Sequence, residues 1–148
     1  MRSLLEDRQQ YVIIQKWDTS CGAAALATLL TYHLGYPISE EETAKGMMRQ
    51  TDPLKVKVRG GFSLLDMKRF ASEIGLPSDG YSDMTIEQLA EMAPMIVPIR
   101  VRGYDHFVVV KGVADERVSI TDPGFGNYEL PQATFESMWS KIGFKVGI

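Results

Sequence analysis

The chain has 148 residues, 45% of them hydrophobic, and a formal net charge of −3. That length and apolar content suit one globular domain, residues 1–148, with its own core. The mild negative charge gives no electrostatic basis for binding nucleic acid or an anionic membrane. One cysteine and two histidines exclude an internal disulfide and a cysteine-rich metal centre. Neither His33 nor His106 has a partner at ligand spacing, so no metal or other cofactor is expected. No apolar run approaches the roughly 18 to 20 residues that a bilayer span requires. Met1-Arg-Ser-Leu-Leu runs at once into Glu6 and Asp7, which breaks the apolar core of any secretory signal. The chain is therefore expected to be either cytoplasmic or a form trimmed of its signal.

In chain order, Asp18 or Ser20 caps a predicted helix from about Cys21 to Tyr32, ended by Gly35 and Pro37. Ser39 and Glu42 form a capping box for a short second helix. Lys55, Lys57 and Arg59 alternate with Val56 and Val58, which reads as an extended segment with its basic residues on one face. Such a face is either a solvated edge that discourages strand pairing or a positive rim for an acidic partner. Gly60-Gly61 reads as a turn. Ser63 with Asp66 starts a further helix whose Leu64, Met67, Ala71 and Ile74 recur at helical spacing. Thr85 with Gln88 starts another, reaching about Glu91.

Strands follow. Met95 to Val101 and His106 to Gly112 are rich in β-branched residues and are joined by Arg102-Gly103-Tyr104-Asp105. Arg117 to Thr121 comes after a turn at Ala114-Asp115-Glu116, and shorter strands are expected at Asn127 to Leu130 and Phe144 to Ile148. Between these last two, Pro131 to Trp139 reads as a helix with proline in its first turn. Helices first and strands later predict an α+β domain, an antiparallel sheet with helices packed mostly on one side.

Cys21 stands at the start of the first helix, where the backbone dipoles favour thiolate over thiol. A thiolate nucleophile needs a base, a group that orients the base, and donors for the oxyanion of the tetrahedral intermediate. If the strands beginning at His106 and ending at Thr121 pair as a hairpin, Asp122 falls beside His106. Gln15 would supply a side-chain amide to the oxyanion together with the backbone N–H of Cys21. Singly, each residue has an ordinary structural reading: a small core cysteine, a satisfied core histidine, an Asp-Pro-Gly turn. Their order along the chain, Gln, Cys, His, Asp, favours the joint one. His33 lies late in its helix, where the dipole favours its protonated form, and has no assigned role. Trp17 is placed to line a cleft, Trp139 to close the core, and Tyr104 and Asp105 flank the base.

The stretch Gln15-x5-Cys21-Gly-Ala-Ala-Ala-Leu, the run His106-Phe-Val-Val-Val and the segment Asp122-Pro-Gly-x-Gly together resemble the C39 peptidases, bacterial papain-like cysteine proteases. The resemblance covers nearly the whole chain. It implies a papain-like α+β fold with Cys21 as nucleophile, His106 as general base, Asp122 as its orienting partner and Gln15 in the oxyanion hole. Members fused to peptide-exporting transporters cut leader peptides after a Gly-Gly pair. The segment Gly61 to Lys68 looks more like stand-alone members of the bacterial envelope, some of which accompany export systems, including one for functional amyloid. The resemblance therefore implies a peptide or protein substrate of an export system and a periplasmic or envelope location. Ser20 departs from the acidic residue that transporter-linked members often carry before the cysteine. A non-cleaving binding or chaperone module and a cell-wall amidase or transacylase remain the alternative readings.

Overall fold

The computed structural model describes residues 21–49, 51–59, 61–101 and 103–147. Gln15, Trp17, Asp18, Ser20, Gly60 and Arg102 lie outside the described residues. The elements are α1 (Cys21–His33), α2 (Glu40–Met48), α3 (Pro53–Arg59), α4 (Leu64–Glu73), β1 (Ser78–Tyr81), α5 (Ile86–Met92), β2 (Met95–Val101), β3 (Tyr104–Ala114), β4 (Arg117–Asp122), β5 (Gly126–Pro131), α6 (Gln132–Met138) and β6 (Gly143–Val146).

Local chemistry sets most helix ends. Three capping boxes open α2, α4 and α5: Ser39 with Glu42, Ser63 with Asp66, and Thr85 with Gln88. In each, the hydroxyl accepts the third residue's N–H while that residue's side chain accepts the cap's own, satisfying two otherwise orphaned donors. At the far end of α1 the chain turns through Gly35 at φ 68, and the N–H of Tyr36 reaches back to the Leu30 carbonyl at 2.8 Å. That closure needs a left-handed residue, which glycine adopts without steric cost.

The segment 53–59 is a helix, α3, not the extended stretch its alternating sequence predicts. Pro53 occupies the first helical position and Asp52 Oδ1 accepts the Leu54 N–H at 2.9 Å, so a proline start and an aspartate cap outweigh the alternation. A helix here withdraws the extended segment on which the expectation of a single basic face at Lys55, Lys57 and Arg59 rested. Val56 is buried among the helices.

The six strands form an antiparallel sheet in the order β1-β6-β2-β3-β4-β5. Helices α1 to α4 cover one face, where Ala25, Leu26, Leu29, Met47, Met67 and Phe70 pack with Ile96, Val109 and Phe144. The opposite face carries α5 and α6, with Leu89, Phe135 and Trp139 against Val97, Val108, Val110 and Ile120. The split follows the strand period of two: Phe107 and Val109 point to the first layer, Val108 and Val110 to the second.

The β2–β3 connection is tighter than predicted, since Val101 already pairs with Tyr104 and Gly103 takes φ 84. Asp115 and Glu116, at φ 53 and 61, link β3 to β4 as a two-residue turn whose twist matches the strands. Within β3 one residue is extra: Val110 pairs with Ile120, but Gly112 pairs with Ser119, leaving Lys111 as a bulge.

Candidate active site

Cys21 is the first residue of α1, a 13-residue helix with no acidic residue in its first turn. The positive end of the helix dipole at Cys21 thus meets no compensating side-chain charge in that turn. Ala23, Ala25 and Leu26 seat the helix on Ile96 of β2 and Val109 of β3. Gly22 sits close to its neighbours: a Cβ there would lie 2.9 Å from the Met67 methyl and 3.2 Å from Phe62 Cβ.

Across the β3–β4 hairpin the structure brings together two of the four expected residues. His106 stands near the start of β3 and Asp122 ends β4. Antiparallel pairing, which sets Val109 against Thr121, puts the head of one strand beside the tail of the other. The Nε2 of His106 lies 2.5 Å from Asp122 Oδ1, with the histidine side chain 16% exposed and the aspartate 1%.

Asp122 is also held from three other directions. Its Oδ1 accepts the Gly124 N–H at 2.7 Å and the Phe125 N–H at 3.3 Å, and its Oδ2 accepts the Tyr128 hydroxyl at 2.7 Å. Burial works against ionisation of this carboxyl, yet the hydrogen bond and charge of His106, the Tyr128 hydroxyl and the Gly124 N–H together hold its pKa below the ordinary value. The turn Pro123-Gly124-Phe125 is shaped by the same contacts. Gly124 lies close to both partners, with a built Cβ 3.4 Å from Asp122 Oδ1 and 3.5 Å from His106 Cε1. The Phe125 ring meets the imidazole edge-on at 6.4 Å between centroids.

The other flagged residues separate clearly. The backbone of Cys21 is placed as described, whereas Gln15 lies outside the described residues. Trp139 is buried, packs on Phe135 at 5.4 Å and donates its indole N–H to the Ile142 carbonyl at 2.9 Å. Asp105 faces solvent and pairs with Arg100 at 3.4 Å. His33 departs from the dipole expectation: burial, then the charge of Lys111, lowers its pKa. Sequence reasoning missed Tyr128 and Phe125. Drawing the β4–β5 register would have found the tyrosine, because Tyr128 pairs with Ile120, two residues from Asp122 on the same face. No helix among the described residues is long and apolar enough to cross a membrane.

A hydrogen-bonded histidine–carboxylate pair thus stands at one strand end, and a cysteine opens a helix packed on the same sheet. The peptidase C39 family profile matches residues 9–145, and the chain belongs to that family of cysteine peptidases. It is 39% identical over 147 residues to the probable functional amyloid protease FapD of Pseudomonas aeruginosa, and 39% identical over 146 residues to the protein of that name from Pseudomonas fluorescens. Each alignment covers 99% of this chain but 64% of the relative, so the chain spans about two thirds of the length of those proteins. Among solved structures it is similar to a double-glycine-motif protease from an AMS/PCAT transporter, crystallised with the leader peptide. The TM-score is 0.74 at 27% identity, covering 91% of this chain and 89% of that one. The peptidase domain of Streptococcus ComA shares the fold, with a TM-score of 0.76 at 21% identity over 92% and 96% of the two chains.

Proposed function

We propose that the chain is a cysteine endopeptidase that cuts an exported peptide or protein after a Gly-Gly type leader, through an acyl-enzyme on Cys21. The observation that carries this reading is the His106–Asp122 pair, a half-buried histidine against a buried carboxylate. With Nε2 committed to Asp122, the base works through Nδ1, and the carboxylate fixes the tautomer that makes Nδ1 basic. His106 takes the thiol proton, and the Cys21 sulfur attacks the scissile carbonyl carbon. The oxyanion draws on the backbone N–H of Cys21 and the Gln15 amide. As the C–N bond breaks, imidazolium returns the proton to the leaving amine. A water molecule deprotonated by His106 then hydrolyses the thioester and frees the thiol.

The family membership and the double-glycine protease among its structural relatives support a glycine pair before the cut. The FapD relatives, named as probable functional amyloid proteases, support a functional-amyloid protein as the substrate. Incubating the parent and Cys21→Ala with a leader peptide ending in Gly-Gly tests the proposal. The parent should cut after the pair and the variant should not. Equal cleavage by both would sink it.

A further inference from the structure

Asp122 has two carboxylate oxygens in two different settings. Oδ1 faces His106 and the backbone of the following turn, whereas Oδ2 takes the Tyr128 hydroxyl at 2.7 Å. Tyr128 reaches it from β5, where it pairs with Ile120 of β4 and so lies diagonally beside Asp122 on one face of the sheet. The same tyrosine lines a pocket of about 360 Å³ together with Val101, Phe125, Leu130 and Met138, and Asp122 forms part of its wall. The tyrosine hydroxyl therefore occupies the carboxylate position that water entering the pocket would otherwise solvate. The terminal torsion of a carboxylate is broad and roughly two-fold; His106, Gly124 and Phe125 restrain it through Oδ1 alone, and the Tyr128 hydroxyl adds the restraint on the second oxygen. Bonded at both, the carboxylate cannot turn without breaking a contact.

We infer that Tyr128 is a positioning residue for the reaction: it fixes the Asp122 carboxylate, which holds Nε2 of His106 and presents Nδ1 to Cys21. This rests on the peptidase reading above. The role belongs to the hydroxyl, since the ring also packs against the second core layer and would stabilise the fold without it.

Tyr128→Phe keeps the ring and removes the hydroxyl. Its kcat should fall about tenfold, the scale seen when an outer partner that orients an acting group is lost, with KM little changed. The acid limb of its pH–rate profile should move to higher pH, because Asp122 loses a donor to its ionised form. In the substrate-free protein, imidazole 15N shifts should report a mixture of His106 tautomers where the parent shows one. Thermal unfolding of the variant checks that it is folded. A folded Tyr128→Phe protein with the parent's kcat, pH profile and 15N shifts would overturn the inference, as would a change confined to KM. The 15N measurement needs no peptide, so the inference stands or falls on it separately from the peptidase reading, which Cys21→Ala decides.

Discussion

Substituting Asp122 by asparagine and by alanine separates orientation from charge at the proposed base. The carboxylate takes four hydrogen bonds: His106 Nε2, the Gly124 and Phe125 N–H groups, and the Tyr128 hydroxyl. Asparagine fits this pattern. Its carbonyl oxygen can replace Oδ1 before three donors, and its NH2 can replace Oδ2 and donate to the tyrosine oxygen, which is able to accept. Only the charge is lost, and a hydrogen bond to a charged group exceeds a neutral one by roughly 1 kcal/mol. Asp122→Asn should therefore lower kcat by about five- to tenfold. Alanine strips every contact from a site 1% exposed. It should destabilise the protein by about 1–3 kcal/mol, the cost of leaving a buried donor unsatisfied, and lower kcat by about a thousandfold or more. Steady-state cleavage of a fluorogenic leader peptide gives the rates, and denaturant titration gives the stabilities. Acid unfolding adds a check. The folded pKa of Asp122 lies below its ordinary 3.8, so its contribution to stability is present above that value and lost as pH falls through the folded one. Asparagine has no such titration, and its stability should decline less steeply in strong acid. Asp122→Asn as slow as Asp122→Ala would refute the orientation argument.

At Gly46 in α2, a Cβ would fall 2.1 Å from Cε1 and 2.6 Å from Cδ1 of the buried Phe70 ring. Gly46→Ala should cost about 1–3 kcal/mol of overpacking, only partly offset by the roughly 1 kcal/mol that alanine gains over glycine in a helix. At Gly143 the obstructing atoms are the Met95 methyl at 2.7 Å and the Met84 sulfur at 2.8 Å, ends of flexible side chains that can yield. Gly46→Ala should therefore lower Tm more than Gly143→Ala, and the reverse order would contradict the packing argument. His33 has a folded pKa below its usual 6.5, through burial and then Lys111. Below 6.5 the unfolded chain takes up a proton that the folded chain resists, so stability falls on acidification. His33→Gln should lose less stability than the parent between about pH 7.5 and pH 5.5. Equal losses in the two proteins would remove His33 as the source.

What was readable in the sequence is what nearby residues decide. The boxes at Ser39, Ser63 and Thr85 announce α2, α4 and α5 because a hydroxyl and a carboxylate or amide three residues apart satisfy each other's backbone. Met95 to Val101, a β-branched run bounded by Pro94 and Gly103, emerged with the boundaries of β2. One element was misread and another went unread, for opposite reasons. In α3, valines alternating with cations imitated strand periodicity, although Asp52-Pro53 carried the start signal of a helix. In β1, Ser78-Asp79-Gly80-Tyr81 has little strand propensity and owes its form to pairing with β6, more than sixty residues later. The His106–Asp122 contact was legible because one hairpin determines it. The Tyr128 contact needed a second strand pairing, across a turn that the Asp122 carboxylate itself helps to shape.

The extra residue in β3 has a consequence for how this hairpin tolerates change. Ahead of Lys111 the even-numbered residues Val108 and Val110 face the second core layer; beyond it the odd-numbered Val113 does. One inserted residue thus reverses the parity of the outer arm while the inner arm keeps its own. The tip at Asp115-Glu116 sits beyond that reset, and His106 and Asp122 sit before it. A change in the length of the tip falls on the far side of the bulge from histidine and aspartate, whose alignment the inner arm sets.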